Sequence, residues 1–403
     1  MLGNEAVVEA VVVGGGLVGK AAALALAQAG LRVALYGAQP APPQPQAGFA
    51  QRIYAVNAAS RGLLERLRAW EQIPAERIQA VQSMRIAADG ASLRFDAYAQ
   101  GVESLAWIVE SDAVERALDL ALRFERGVQS SPETVAQARR GNPGWELQLA
   151  GGATLRAPLL VGADGRSSQV RAWSAIGVRA RPYEQTAVVC NFSCGASHGA
   201  CAFQAFTADG GVVALLPLPA HAGRQQVSLV WSAPDALAHE LQALSAQQLA
   251  ERVHVQLPAL GAAGLRSLEP SGGIGAWPLV LQRAERVAAA GVALLGDAAH
   301  VVHPMAGHGL NLGLQDVQAL AAVLSSRSAA ESAAHEAVLQ RYARARAEQV
   351  LALEWATDGL HRLYSPGLRR LAPLRALGLR AADRLPPIKK WLAGYASGRS
   401  VLS

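Results

Sequence analysis

The sequence predicts an α/β protein: a doubly wound parallel unit, interrupted by a β-rich insertion and followed by C-terminal helices. Three observations predict it. A β-α-β signature opens the chain, strand-length apolar runs crowd the stretch from Val178 to Val287, and from Leu310 the apolar residues fall into a helical period.

Val7–Val13 (VVEAVVV) is a nearly continuous apolar run, as suits a strand covered on both faces of a parallel sheet. Gly14-Gly15-Gly16-Leu17-Val18-Gly19 follows, then Lys20–Ala29, rich in strong helix formers; Gly30 closes that helix and Leu31–Tyr36 reads as the second strand. A G-x-G-x-x-G between strand and helix is a dinucleotide-binding turn. Gly14 permits the tight turn, Gly16 admits a pyrophosphate to the backbone, Gly19 lets the helix close on the strand, and the helix N-terminus presents its positive end. An acid is expected about eighteen residues after Gly19 to hold the ribose hydroxyls. That place is Gly37, preceded by Tyr36, with Gln39 the nearest substitute.

Gln39–Gln46 reads as a Pro/Gln-rich loop, and Ser60–Trp70 resumes helical spacing with Leu63, Leu64, Leu67 and Trp70 on one face. Leu159–Arg171 (LLVGADGRSSQVR) is a buried strand ending in Gly-Ala-Asp-Gly, where Asp164 could hold a ligand or cap the helix that follows. Ala187–Phe192, Val212–Leu218 and Val227–Trp231 read as strands of the insertion. In Val292–Gly313 a strand delivers Gly296-Asp297, then a Pro- and Gly-broken loop, then a helix from near Gly309 with apolar residues at 310, 314, 317, 321 and 324. Asp297 is placed to accept hydrogen bonds from a polyol, and the helix start to stabilise a developing anion. His300, His303 and His308 invite a metal reading, but no carboxylate or cysteine completes a set, so no metal is expected.

With 403 residues, 51% of them apolar and 17% charged, the chain can bury a large core, which excludes a disordered or collagen-like protein. Cys190, Cys194 and Cys201 are odd in number and match no familiar zinc spacing; a reducing cytosol is the expected setting. The formal charge of +6 is unevenly placed. From Arg341 onward twelve Arg/Lys face four Asp/Glu, a net +8, which leaves the remainder at −2. The pattern is a basic tail and argues against nucleic acid as a partner. No run of eighteen apolar residues spans a membrane, and no basic residue precedes Lys20, so no signal peptide is expected.

The glycine turn, GADG and GDAAH, in that order and spacing, resemble the single-component FAD aromatic hydroxylases of the para-hydroxybenzoate hydroxylase class. The finer likeness is to the ubiquinone-biosynthesis hydroxylases. It rests on Arg52–Val56, Ala58–Trp70, Ile108-Val109-Glu110, Tyr183–Cys190, Leu215–Leu218, Ser228–Ser232 and His303–Gly313, and covers essentially the full length. The resemblance implies a Rossmann-like FAD-binding domain formed by residues 1-72, 100-177 and 286-345. A β-sheet substrate domain would comprise 73-99 and 178-285, and a basic helical segment 346-403. It implies that Gly14, Gly16 and Gly19 hold the pyrophosphate, that Arg52 contacts the cofactor, and that Asp164 and Gly165 serve FAD and the visiting NADH or NADPH. Asp297 would bind the ribityl chain. Pro304 through Gly309, with Gly307, Leu310 and Asn311, would lie beside the flavin ring, where His303, Pro304 and His308 are the candidate catalytic residues.

The implied reaction is hydroxylation of a prenylated phenol by a flavin hydroperoxide, using NAD(P)H and O2. The basic segment Arg362–Lys390 suits an anionic membrane surface, on the inner face of the cell membrane, or a partner in a quinone-biosynthesis complex. The chain departs from the family pattern at Gly37, at His308 where Gln is expected, and at Ala205 where Arg is expected before Phe206. Such departures would weaken FAD affinity or turnover. They keep two other readings open: a non-catalytic structural subunit of such a complex, and a flavin enzyme acting on another aromatic or isoprenoid substrate.

Overall fold

The computed structural model describes residues 8–43, 48–142, 144–303, 308–328 and 331–385, together with Lys389 and Gly394. The strand Ala10–Val13 sits at the centre of a six-stranded sheet ordered 288–289, 292–294, 159–162, 10–13, 33–36, 128–131. All neighbours are parallel except the short edge pair Ala288–Ala289 with Val292–Leu294. Ala10, Val11 and Val12 have no exposed surface, as expected for a strand buried on both faces. Helix Leu17–Gln28 returns the chain to Val33–Tyr36, completing the expected β-α-β unit.

The insertion forms a second, nine-stranded sheet built around Val178–Cys194. That strand is seventeen residues long and pairs Gly275–Ala284 on one side and Arg224–Pro234 on the other. Its register shifts between Pro182 and Thr186, where Pro182 lacks an N–H and Glu184 adopts φ +56°. The predicted strand runs 187–192, 212–218 and 227–231 all fall inside its strands. A small sheet, Ile53–Val56 with Ala106–Glu110 and Ile78–Val81, bridges the two units.

The helix expected over 60–70 spans Ala58–Arg66 instead. Asn57 Oδ1 caps it by accepting from Ser60 N at 2.9 Å, and the chain leaves it through Arg68 at φ +58°. Leu63, Leu64, Leu67 and Trp70 are nevertheless all buried, so the apolar face was legible although the boundary was not. The C-terminal region is a 28-residue helix, Glu336–Leu363, a short 3-10 stretch, and helix Ala372–Arg384. Pro373 sits in the first turn of that last helix, where a proline loses no helical hydrogen bond. Pro386-Pro387 lie outside the described residues. Among the described residues no helix is long and apolar enough to cross a membrane.

Candidate active site

One cleft of about 1670 Å³ connects the glycine turn of the parallel sheet with the face of the large sheet and the C-terminal helices. At the first end, backbone approaches dictate the glycines. A Cβ on Gly14, which has φ +112°, would lie 2.3 Å from the Ala163 carbonyl oxygen, and one on Gly19 would lie 1.7 Å from that of Gly14. Gly15 is equally constrained, 2.1 Å from Ala38 Cα, which the motif alone does not reveal. Gly16 differs: it precedes helix Leu17–Gln28, lines the cleft, and a Cβ there would meet nothing within 4 Å. Its N–H and those of the first turn are open to a ligand.

Gly37 explains the missing acid. The residue has φ +80°, and its N–H donates to the Glu133 carbonyl at 2.8 Å, so the chain turns in a conformation that favours glycine over any side chain. Gln39 does not replace it: its side-chain amide donates to the Pro132 carbonyl at 3.2 Å, its main-chain carbonyl accepts from Lys20 Nζ, and it does not line the cleft. Lys20, with no exposed surface, also pairs with Asp119 at 2.6 Å.

Asp164 caps the helix that follows it, one of the two roles its position allowed. Oδ2 accepts from Gln169 N at 2.7 Å and Val170 N at 3.0 Å, capping the helix. Oδ1 is buried and has no hydrogen-bond partner among the described residues, and neighbouring Gly165 (φ +79°) lines the cleft. Asp297 also lines the cleft and is an exposed residue. Crowding by protein raises its carboxyl above the usual range, opposed by Arg52, His300 and Arg166. Arg52 lies exposed on the wall with its guanidinium 5.5 Å from the Tyr54 ring.

Residues that sequence reasoning missed hold this end in place. Asp316 is fully buried and accepts from Gly296 N at 2.8 Å and Arg346 Nε at 2.6 Å. His300 Nε2 lies 2.7 Å from Asp316 Oδ2, the oxygen that also accepts from Gly296 N. Burial alone would raise the Asp316 carboxyl; His300, Arg346 and the Gly296 N–H outweigh it and hold it low. The turn carrying Asp297 is thereby fixed from beneath. Glu110, with no exposed surface, accepts from Ala50 N at 2.6 Å and pairs with Arg77 at 3.0 Å, anchoring the segment that presents Arg52. Asn311 lines the cleft, accepts from Asn57 N at 3.0 Å and donates to the Ala55 carbonyl at 2.8 Å, tying helix His308–Ser325 to the bridging sheet. Gly309 and Leu310 line the cleft at that helix start. Pro304 and Gly307 lie outside the described residues, as does the side chain of His308.

His303 does not line the cleft. It is fully buried, edge-on to Tyr183 at 4.8 Å, with His361 at 5.8 Å. Gln185 Nε2 donates to the Gly210 carbonyl, so its Oε1 is the atom 3.1 Å from His303 Nε2, and that nitrogen must carry the proton. Burial, then His361, pushes the His303 pKa down to about 3, so the ring is neutral near pH 7. Ala205 packs in the apolar cluster behind the large sheet, outside the cleft lining, so an arginine there would be buried in a core. Among the described residues no cluster of three His, Cys, Asp or Glu could hold a metal.

Toward its other end the cleft is apolar, lined by Met84, Ile86, Phe95 and Phe206 from the large sheet and by Leu360 and Leu374 from the C-terminal helices. A glycine cradle leading into an apolar chamber narrows the possibilities, and comparison with known proteins decides among them. The FAD binding domain family matches residues 7–356. The chain belongs to this family. It is 36% identical to the 3-demethoxyubiquinol 3-hydroxylase of Escherichia coli (strain K12), across 97% of this chain and 98% of that one. It is 34% identical to the ubiquinone hydroxylase UbiL of Rhodospirillum rubrum, across 98% and 90%. The p-nitrophenol 4-monooxygenase PnpA of Pseudomonas putida DLL-E4 superposes with a TM-score of 0.75, at 20% identity, over 98% of this chain and 99% of that one, and shares the fold. The motif-based resemblance holds: the chain is a member of the FAD-dependent aromatic hydroxylases, with FAD as cofactor and NAD(P)H as the co-substrate typical of the class.

Proposed function

We propose that this FAD-dependent monooxygenase hydroxylates the aromatic ring of a polyprenylated phenol in ubiquinone biosynthesis, with NAD(P)H and O2. The observation that carries the reading is the continuity of the cleft, from the Gly16 turn and Asp297 to an apolar chamber large enough for a hydrophobic substrate. Small-ligand sites usually span about 300–1,000 Å³. At about 1670 Å³ this cleft has room for a dinucleotide and a second molecule. The printed names of the two enzymes above, similar over almost the full length, support the same substrate class.

In this reading residues 1-72, 100-177 and 286-345 hold the cofactor, 73-99 and 178-285 shape the substrate chamber, and 346-403 form a basic helical segment. Gly14, Gly16 and Gly19 give the pyrophosphate a bare backbone, which fits the open space at Gly16. The unpartnered Asp164 Oδ1, beside Gly165, is an acceptor for a nucleotide hydroxyl. Asp297 accepts from the ribityl hydroxyls and Arg52 offsets its charge. FAD, when bound, supplies the activation of O2 and its transfer to the ring. The chain's own residues orient the phenol and exclude water. The N-terminus of helix His308–Ser325, with Gly309, Leu310 and Asn311 in its first turn, stabilises negative charge at the flavin. His303 acts through packing, since its ring lies outside the cleft and out of reach of the substrate.

The C-terminal helices expose Leu351, Trp355, Leu374 and Leu377 among exposed Arg362, Arg370, Arg380 and Arg384. Apolar anchors among cations suit an anionic lipid surface, and we place the protein peripherally on the inner face of the cell membrane. Co-sedimentation with anionic vesicles should weaken as salt rises; equal partition in low and high salt would remove the electrostatic part.

The test of function is mass spectrometry of quinone lipids in a strain lacking the gene, complemented with the wild-type gene. Loss of ubiquinone and build-up of a prenylated intermediate one ring oxygen short is expected, with the oxygen restored from labelled O2. A purified protein that stays colourless with added FAD would instead favour the non-catalytic subunit.

A further inference from the structure

We infer that Glu115, on the helix Ser111–Phe124, holds the hydroxyls of the adenosine ribose of FAD, the task left open by glycine at position 37. This deepens the proposed function through its cofactor and rests on FAD alone, not on the substrate.

Among the described residues three acids line the cleft: Glu103, Glu115 and Asp297. Glu103 pairs with Arg61 at 3.2 Å, and Asp297 follows strand Val292–Leu294. Glu115 is half-buried, and its carboxylate makes no hydrogen bond and no ion pair among the described residues. A carboxylate in a dinucleotide cleft repels phosphate and accepts from hydroxyls. FAD carries hydroxyls in two places, the ribityl chain and the adenosine ribose.

Sheet order separates those two places. Asp164 and Asp297 follow strands Leu159–Gly162 and Val292–Leu294, which lie on one side of the central strand Ala10–Val13 and its glycine turn. Strand Val33–Tyr36 lies on the other side. The helix Ser111–Phe124 is tied to that second side: Asp119 Oδ2 accepts from Ala41 N at 2.8 Å, and Arg116 donates to the Pro42 carbonyl at 2.8 Å, both in the loop after Val33–Tyr36. At its start, Ser111 N donates to the Arg52 carbonyl at 2.9 Å. Ser111, Glu115 and Asp119 are four residues apart and share one helix face, so Glu115 lies between Arg52 and that loop, one turn from each. A dinucleotide seated on the Gly16 turn with its ribityl chain at Asp297 therefore carries its adenosine toward Glu115.

The other acids on this side are engaged or displaced. Lys20 Nζ takes Asp119 Oδ1 at 2.6 Å, so both Asp119 oxygens are occupied. Glu133 accepts from Gly151 N at 2.6 Å, and neither Glu133 nor Asp112 lines the cleft. Burial raises the Glu115 carboxyl, with Asp112 and Asp119 adding to the rise and Lys20 and Arg52 opposing it. Arg52 opposes the rise at Asp297 too, so one guanidinium serves both acids that flank the cofactor. Counting from Gly19 along the chain misses Glu115, because its helix reaches the turn only in the folded protein.

The experiment measures Kd by quenching of flavin fluorescence on full-length protein stripped of flavin. The probes are FAD and an FAD analogue whose adenosine ribose lacks both hydroxyls. Wild-type protein should bind FAD about ten-fold or more tighter than the analogue, the worth of a hydrogen bond to a charged group. Glu115→Gln should weaken FAD about ten-fold and the analogue by less than about two-fold, so that the preference nearly disappears. Asp112→Asn removes a charge from the same helix outside the cleft and should leave both affinities unchanged. Equal wild-type affinity for the two flavins would overturn the assignment, as would a Glu115→Gln loss shared by the analogue or reproduced by Asp112→Asn. Wild-type protein that binds neither flavin would remove the cofactor and this assignment together. Ribose-selective binding without hydroxylation of any prenylated phenol would remove the substrate alone.

Discussion

At the glycine-turn end of the cleft the supporting side chains are tied in place: Asp316 to Gly296 and Arg346, Glu110 to Ala50 and Arg77, Asn311 to Asn57 and Ala55. At the other end the lining is largely apolar, and the C-terminal helices are held to the large sheet by a few surface ties, Arg375 to Asp89 in the turn between strands Ser83–Ala88 and Ala91–Asp96, Arg94 N to Asp383, and Arg283 to Glu354. The difference follows from what each end must recognise. A polar cofactor is read by direction, which demands donors and acceptors fixed to within a fraction of an ångström. A hydrocarbon is read by area, which tolerates looser walls. Rigidity is concentrated where hydrogen bonds are aimed.

The contrast is broken most severely at Asp316. Asp316→Ala leaves the Arg346 charge buried, with 2% of its side chain exposed, and without its counter-ion. A stability loss of about 3–5 kcal/mol in urea is expected. A loss below about 1 kcal/mol would mean that this end is not held by charge. Next comes Gly19→Ala, whose Cβ would lie 1.7 Å from the Gly14 carbonyl oxygen. Overpacking of that kind costs about 1–3 kcal/mol, and FAD affinity should fall roughly a hundred-fold, close to 2.7 kcal/mol. Retention of flavin on gel filtration would show that the turn can relax.

Asp297→Asn sharpens the comparison through its sign. FAD affinity should fall about ten- to hundred-fold, the worth of a charged hydrogen bond. Without FAD, however, the substitution should stabilise the protein. The Asp297 carboxyl is raised in the folded state, so its ionised form costs stability at neutral pH, and that cost is relieved as pH falls through the folded pKa. Asp316 runs the other way. Its folded pKa is lowered, so its contribution is present above the ordinary aspartate pKa near 3.9 and is lost as pH falls through the lower folded value. Thermal melts of FAD-free protein from pH 7 to pH 3 should show the Asp297→Asn advantage shrinking as the solution is acidified. The smallest effect belongs to Asp89→Ala, in a pair near the surface: about 1 kcal/mol or less in global stability. Its readout is the KM for the prenylated phenol; an unchanged KM would show that the pair does not shape the apolar end of the cleft.

Much of the first end was legible because the demands on it are local. A glycine turn between a strand and a helix, an Asp after each of two later strands, and a helix starting beyond a Gly-rich loop are all set by neighbours in sequence. Gly14, Gly16, Gly165, Asp297, Gly309, Leu310 and Asn311 fall where those local rules put them, and the structure brings all but Gly14 into the cleft lining. His303 misled for a physical reason. A titratable residue beside a functional loop looks catalytic, yet its side chain turns away from the cleft to Tyr183, Gln185 and His361, from segments more than fifty residues away on either side.

The sequence by itself determined the fold class, the order of the strands that carry the glycine turn, Asp164 and Asp297, and the basic character of the tail. Hydrophobic period and backbone geometry act over a few residues, so they can be read along the chain. Only the tertiary structure decided which charges are buried together, as in Asp316–Arg346, Arg77–Glu110 and Lys20–Asp119, and that the C-terminal helices wall the cleft. Those partners lie 30 to 99 residues apart, and the cost of burying a charge is met only when the folded chain brings its counterpart within hydrogen-bond reach.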